Sequence, residues 1–330
     1  MIKAAMFDTK PYDKESFEKH LDQDISITYF ETKLDNSTAG LARGFDCVIV
    51  FVNDVVTSDV VETLHNLGVK LIALRCAGFN NVDIKTAFEK IHIVRVPSYS
   101  PHAIAEHTMA LLLTSIRRIH KAYNRTREYN FSISGFTGMN LYGKTMGVIG
   151  AGKIGSAFVD ICNGFGMRVL AYDKYPNDKV KAEFTNLDQI YMQSDVISLH
   201  CPLTEENYHM INKDTISKMK DGVVILNTSR GALINAEDLL KGIKEKKISA
   251  ACLDVYEEES DLFFDDKSGH ILRDDVLARL LSMPNVIVTS HQAFLTEEAL
   301  DSIAEITVDN IKKFFSGEHV ENEICYHSAT

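Results

Sequence analysis

Two kinds of hydrophobic spacing alternate along this chain. Short apolar runs rich in β-branched residues lie at Lys3–Phe7, Ser26–Phe30, Cys47–Val52, Leu71–Cys76 and Ile91–Val96. They return at Met146–Ile149, Met167–Tyr172, Val196–His200, Val223–Leu226, Ser249–Val255 and Asn285–Thr289. Runs of this length, bounded by polar or glycine-containing segments, read as buried strands. Between them, apolar positions recur every three or four residues at Lys14–Asp22, Asp59–Leu67 and Glu237–Lys244, the spacing of amphipathic helices. Strands spaced by helices predict α/β architecture with parallel sheets.

A longer helical stretch runs from Ile104 to about Arg127 and separates the two series. Its first half is apolar nearly all round, which suggests burial between domains or subunits, and its second half is basic and solvated. Phe131–Gly143 reads as a connection, Glu257–Asp275 as an irregular or partly helical acidic insertion, and Glu297–Phe315 as a final amphipathic helix. The expected organisation is two doubly wound, Rossmann-like parallel-sheet domains with the active site in the cleft between them. Residues 1–100 with 299–330 form the substrate domain, and residues 101–298 the dinucleotide-binding domain.

The second series opens on the most specific stretch, Met146–Asp173. Its first strand runs into Gly150-Ala-Gly152-Lys-Ile-Gly155, a helical pattern stops near Gly164 and Gly166, and the next strand ends in Asp173. Strand, glycine turn, helix, strand and acid follow in the order of a dinucleotide-binding βαβ unit. Gly150 makes the tight turn, Gly152 lets the backbone approach a pyrophosphate, and Gly155 allows close packing of helix on strand. The free N–H groups of the helix hold the pyrophosphate charge. Asp173 accepts from a ribose 2′-hydroxyl and repels a 2′-phosphate, so the expected cofactor is NAD rather than NADP.

Charge and composition remove other classes. A formal net charge of −11 argues against wrapping nucleic acid or lying on an anionic membrane. Six cysteines (47, 76, 162, 201, 252 and 325) are scattered without metal-ligand spacing, as expected of reduced, buried thiols in a cytoplasmic protein that needs no metal. The start, Met1-Ile-Lys-Ala-Ala, is interrupted too soon by Asp8 and Lys10 to read as a signal peptide, and no apolar run approaches membrane-spanning length.

Three candidate side chains stand just past strands. Arg230 could bind a carboxylate through its guanidinium fork or form a structural ion pair. His291 could donate and accept a proton, or serve as a capping or core histidine. Glu259, the last of three consecutive glutamates, is by composition either a functional partner or a solvated side chain.

With the glycine loop, these residues resemble the D-isomer-specific 2-hydroxyacid dehydrogenases, and the resemblance spans essentially the whole chain. It is carried by Val96-Pro-Ser-Tyr-Ser-Pro-His-Ala-Ile-Ala-Glu-His107, Leu141-Tyr-Gly-Lys-Thr145, Leu199-His-Cys-Pro-Leu-Thr204 and Asn227-Thr-Ser-Arg-Gly231. Glu258-Glu-Ser-Asp-Leu-Phe-Phe264 and His291-Gln-Ala-Phe-Leu-Thr296 look like the fermentative D-lactate branch of that family. The resemblance implies reversible NADH-dependent reduction of pyruvate to D-lactate. Arg230 would anchor the substrate carboxylate and polarise the keto oxygen, His291 would be the acid/base, and Glu259 would hydrogen-bond its imidazole and favour the charged form. The backbone of Ala77 and Gly78 would bind the carboxylate, with Tyr99 lining the pocket and Phe51 and Phe294 narrowing it to a methyl side chain. Lys153, Ile154 and Asp173 would meet the pyrophosphate and ribose, and Cys201, Pro202, Asn207, Thr228, Ser229 and Asp254 the rest of the cofactor.

The resemblance further implies a homodimer or higher homo-oligomer formed through the second domain. Related activities fit less well. Phosphoglycerate dehydrogenases often carry a regulatory domain for which this chain has no counterpart after its last helix. Formate dehydrogenases have glutamine where Glu259 stands. Relatives that act as NAD(H)-responsive co-repressors form a different class, and this chain shows no basic tail or low-complexity segment of the kind that would accompany that role.

Overall fold

A computed structural model describes residues 1–258, 262–264 and 266–326. The chain forms two compact units, residues 1–100 with the chain from Leu295 onward, and Pro101–Phe294. The second crossing precedes residue 299 because Thr296 already caps the last helix, its hydroxyl accepting from the Ala299 N–H.

The smaller unit alternates β1 (Ile2–Met6), α1 (Pro11–Glu18), β2 (Ile25–Tyr29), β3 (Cys47–Val50), α2 (Ser58–Asn66), β4 (Leu71–Leu74), α3 (Ile84–Ala87) and β5 (His92–Arg95). Its five strands are all parallel, in the order β2-β1-β3-β4-β5. Every residue of β3 and β4 is buried, as strands covered on both faces require, and this is why they are continuously apolar. The helix Glu297–Ser316 returns to this unit and lays Ala304, Val308 and Ile311 against a core containing Ala4, Met6, Ile49 and Leu71. The strand order reverses between β1 and β3, so the loops after those strands and after β4 flank a topological switch point, where such sheets bind ligands.

The larger unit contains α4 (Pro101–Arg117), α5 (Ile119–Arg127), β6 (Thr145–Ile149), α6 (Lys153–Gly164), β7 (Arg168–Tyr172), β8 (Glu183–Phe184), α7 (Leu187–Gln193), β9 (Val196–Leu199), α8 (Lys213–Lys218), β10 (Val223–Asn227), α9 (Ala236–Lys244), β11 (Ile248–Leu253), α10 (Asp275–Ser282) and β12 (Val286–Val288). Its seven strands are again all parallel, in the order β12-β11-β10-β9-β6-β7-β8. The switch point falls between β6 and β9, where the glycine turn lies.

Two expectations are corrected. The stretch Ile104–Arg127 is two helices, not one, broken at Arg118, which adopts a left-handed φ of 52°. Helix α4 buries Ala105, Met109, Leu112 and Ile116 in a core shared with Phe158 and Val159 of α6, whereas α5 buries no residue. The basic half leaves its apolar side chains, Ile119 and Tyr123, more than half exposed. Helices α7, α8 and α10, seven, six and eight residues long, were not read from periodicity. Side chains start them: Asn186, Asn212 and Asp274 accept from backbone N–H groups of the first turn. All six cysteines are free, and Cys325, beyond the last helix, is exposed rather than buried.

Candidate active site

The glycine turn is dictated by close approach. Gly150 has φ 96°, and a Cβ there would lie 2.6 Å from the carbonyl carbon and oxygen of His200. At Gly155 a Cβ would come within 1.9 Å of the Gly150 carbonyl oxygen, so the glycine lets α6 press on its own entry turn. Gly152, the N-cap of α6, is different: a Cβ would meet nothing within 4 Å. This open face beside a helix N-terminus fits a dinucleotide pyrophosphate. Lys153 is exposed and Ile154 half-buried on the first turn of the helix.

Asp173, at the end of β7, is half-buried and ties into this turn. Its Oδ2 accepts from the Ala151 N–H at 2.6 Å, and its Oδ1 accepts from the Tyr175 N–H at 2.8 Å. The neighbouring cation, Lys174, pairs instead with Glu206 at 3.1 Å. A carboxylate in this position suits ribose hydroxyls and opposes a phosphate, so the residues present fit NAD.

The loops after β9 and β10 form a second hydrogen-bonded group. Ser229 donates from Oγ to the Cys201 carbonyl at 2.6 Å, and Asn207 donates from Nδ2 to the Pro202 carbonyl at 2.8 Å. Asn207 also accepts from the Thr204 N–H at 2.7 Å, which closes the loop. The Thr228 hydroxyl is 2.8 Å from that of Thr108 on α4, and both residues are buried.

Arg230 follows directly. Asn227, 1% exposed, donates from Nδ2 to the Arg230 carbonyl at 2.8 Å and accepts from the Ser229 N–H at 3.1 Å. Gly231 lies so close to the chain after β11 that a Cβ would be 2.0 Å from the Tyr256 carbonyl carbon. Arg230 is half-buried, and its Nη1 donates to the Ser229 carbonyl at 2.8 Å.

His291, past β12, has φ 54°, a conformation that strains a side chain with a Cβ. Asp254 holds it there. The His291 N–H donates to the Asp254 carbonyl at 2.7 Å. The Asp254 carboxylate accepts from the Thr289 hydroxyl at 2.6 Å, the Gln292 N–H at 2.9 Å and the Ala293 N–H at 2.8 Å. His107 Nε2 on α4 lies 3.4 Å from the same carboxylate. Burial pushes Asp254 up, but these donors outweigh it and hold the carboxyl below the usual aspartate range. Asp254 has no exposed surface here, and its oxygens are engaged by protein groups. It is a positioning residue for the histidine turn. The Phe264 ring lies 5.8 Å from the His291 imidazole.

Glu259 lies outside the described residues. Of the three glutamates, Glu257 has a different partner: Oε2 is 2.7 Å from His209 Nε2, and Oε1 accepts from the Ala236 N–H at 3.2 Å.

In the smaller unit, Phe51 and the pair Ala77 and Gly78 follow β3 and β4, at the switch point. Arg95 Nη1 donates to the Ala77 carbonyl at 2.9 Å, and the Cys76 thiol to that of Gly78 at 3.2 Å. Tyr99 is half-buried. Phe51 is buried, and so is Phe294, at the end of the larger unit.

Sequence reasoning did not assign roles to His107, Thr108, Asn227 or Thr289. The only signal for the first two was a polar pair within the apolar half of a helix. Among the described residues, no group of three or more His, Cys, Asp and Glu could hold a metal ion, and no helix is long and apolar enough to cross a membrane.

This is the architecture of a nicotinamide-dependent oxidoreductase. The sequence profile of the D-isomer specific 2-hydroxyacid dehydrogenase NAD binding domain matches residues 109–293. The chain belongs to the D-isomer specific 2-hydroxyacid dehydrogenases, and its cofactor is NAD. It is 51% identical to a 2-hydroxyacid dehydrogenase homolog of Haemophilus influenzae, over 97% of this chain and 98% of that protein. It is 49% identical to the D-lactate dehydrogenase of Escherichia coli, over 98% of this chain and 100% of that protein. The apo-structure of the Escherichia coli enzyme superposes with a TM-score of 0.90 at 47% identity, covering 98% of this chain and 100% of the other.

Proposed function

We infer that this protein is a D-lactate dehydrogenase, which reduces pyruvate reversibly to D-lactate. Bound NADH supplies the hydride. Arg230 binds the substrate carboxylate and draws electron density toward the keto oxygen. The His291 imidazolium donates its proton to that oxygen as the alcohol forms, and takes it back in the oxidative direction. Ala77 and Gly78 offer backbone N–H groups to the carboxylate, Tyr99 lines the pocket, and Phe51 and Phe294 restrict the side chain to a methyl group. Glu259 accepts a hydrogen bond from the imidazole. Lys153, Ile154, Cys201, Pro202, Asn207, Thr228, Ser229 and Asp254 complete the cofactor site around the glycine turn.

The observation that carries this reading is the His291 turn. A strained backbone held by a wholly buried carboxylate is the kind of placement that function maintains and packing alone does not need. The test is NADH oxidation with a panel of 2-keto acids and chiral resolution of the product. Pyruvate should be preferred over branched keto acids and give D-lactate. NAD(H)-dependent protein capture without turnover would favour the co-repressor class instead.

Cofactor choice gives a separate prediction. Wild-type protein should use NADH far better than NADPH, and Asp173→Ser should narrow the gap in kcat/KM. Equal wild-type efficiency with both cofactors would remove Asp173 from the cofactor site.

Glu259 makes a third. Changing Glu259 to Gln keeps a hydrogen bond but removes the charge that favours the imidazolium. The alkaline limb of the kcat/KM profile for pyruvate should then move to lower pH, with NADH affinity little changed. An unmoved limb would mean that Glu259 does not act on His291.

The same reading makes the protein a cytoplasmic homodimer or larger homo-oligomer working in fermentation, without nucleic-acid or membrane partners. Support for self-association comes from the segment after α4. There Ile119, Tyr123, Tyr129, Phe131, Ile133 and Tyr142 are all more than half exposed, more apolar surface than a monomer ordinarily leaves in one stretch. Sedimentation at micromolar concentration measures the state directly.

A further inference from the structure

We propose that Arg75, Asp54 and Asn81 form a rigid frame that fixes Phe51 and thereby sets the upper size of the substrate side chain. This rests on the reading that Phe51 borders the substrate. On the geometry these three are positioning residues that need not touch substrate themselves.

Phe51 is held at three points. Its N–H donates to Asp54 Oδ2 at 2.6 Å. Its carbonyl accepts from Asn81 Nδ2 at 2.8 Å, and the same amide donates to the Asp54 carbonyl at 2.9 Å. The Arg75 guanidinium stands 4.2 Å from the centre of the Phe51 ring. Each support is itself anchored. The second Asp54 oxygen accepts from the Leu34 N–H at 2.6 Å. Arg75 Nη1 donates to Asp13 Oδ1 at 3.0 Å, and Nη2 donates to the Asp8 carbonyl at 2.9 Å. Asp13 in turn accepts from the Lys10 N–H at 2.9 Å, at the start of α1.

Arg75 is 2% exposed and Asp54 has no exposed surface. Buried ion pairs contribute little net stability, and apolar side chains of similar volume would pack as well. What a guanidinium adds is a flat cation locked in orientation by two hydrogen bonds, able to lie against an aromatic ring and fix it. All of this sits at the ends of β1, β3 and β4, the ligand-binding edge of the sheet. A ring free to swing would yield to a longer keto acid; a fixed one excludes it. One crowded methylene in such a pocket changes selectivity by about 10–200-fold.

The experiment compares kcat/KM for pyruvate and 2-ketobutyrate in wild type, Arg75→Lys, Phe51→Ala and the double variant. Lysine keeps a charge near Asp13 but offers no flat surface to the ring. Arg75→Lys should lower the pyruvate preference by about 10-fold, mainly through KM and kcat for 2-ketobutyrate. Phe51→Ala should lower it at least as much, and the double variant should go no further than Phe51→Ala, because both act through one ring. If Phe51→Ala changes the preference and Arg75→Lys does not, or if the two effects add, the frame is overturned while the pocket stands. If Phe51→Ala leaves the preference unchanged, Phe51 does not border the substrate and both ideas fall. Should Arg75→Lys not fold, Asn81→Ala interrogates the frame from the backbone side: a lowered preference upholds it and an unchanged one overturns it.

Discussion

His291→Gln should lower kcat for pyruvate reduction by about 10²–10⁴-fold, the usual contribution of a general acid, and should do so across the whole pH range. Glutamine is similar in size and can still hydrogen-bond, but it has no proton to give at the keto oxygen. The turn itself should survive, because its contacts are the His291 N–H on the Asp254 carbonyl and the carboxylate on neighbouring backbone and Thr289, none of which uses the imidazole. NADH affinity, read by fluorescence, should therefore stay close to wild type while turnover collapses. A variant that keeps even a tenth of the wild-type kcat would exclude His291 as the proton donor.

Asp254→Ala should be costly in both stability and turnover. It strips the acceptor from the buried Ala293 N–H and from the part-buried Thr289 hydroxyl and Gln292 N–H. The buried donor left unsatisfied costs about 1–3 kcal/mol and the two part-buried ones less, so the loss by urea unfolding should be about 2–4 kcal/mol. The strained His291 backbone also loses its restraint, and kcat should fall by at least about 10-fold, since each 1.36 kcal/mol of lost alignment is tenfold in rate. The pH dependence follows from the lowered carboxyl. Its stabilising effect is fully present above the ordinary aspartate value near 4 and is lost as pH falls through the lower folded-state value. The stability gap between wild type and Asp254→Asn should therefore narrow in acid. Wild-type stability and turnover in Asp254→Ala would show that other contacts hold the turn.

Much of this molecule is decided locally and was legible in order along the chain. Strands β3 and β4 declare themselves because a strand covered on both faces must be apolar throughout. The glycine turn declares itself because only glycine tolerates the φ of 96° at residue 150 and the approach of residue 155 to the Gly150 carbonyl. Asp173 could be named in advance because a βαβ unit puts the residue at the end of its second strand beside that turn. Arg230 and His291 were visible as polar residues just past strands, the place where α/β sheets present side chains to ligands.

Other features depended on partners far apart in sequence, and no local pattern could supply them. Asp254 looks like any acid at a strand end until Thr289, Gln292, Ala293 and His107 converge on it and make it a support for the His291 turn. Three adjacent glutamates are equivalent by composition; Glu257 is distinguished by His209, 2.7 Å away, and by the Ala236 N–H that donates to it. The break at Arg118 follows from which half of the helix finds a core to bury in. Arg75 gave no sign of function, since its meaning lies in lying across Phe51 with Asp13 and Asp8 behind it. Backbone conformation and strand periodicity are set by neighbours in the chain, so the sequence by itself determined the two sheets, the glycine turn and its acid. The orientation of a buried charge is set by the groups that desolvate and pair with it, and only the tertiary structure brings those together.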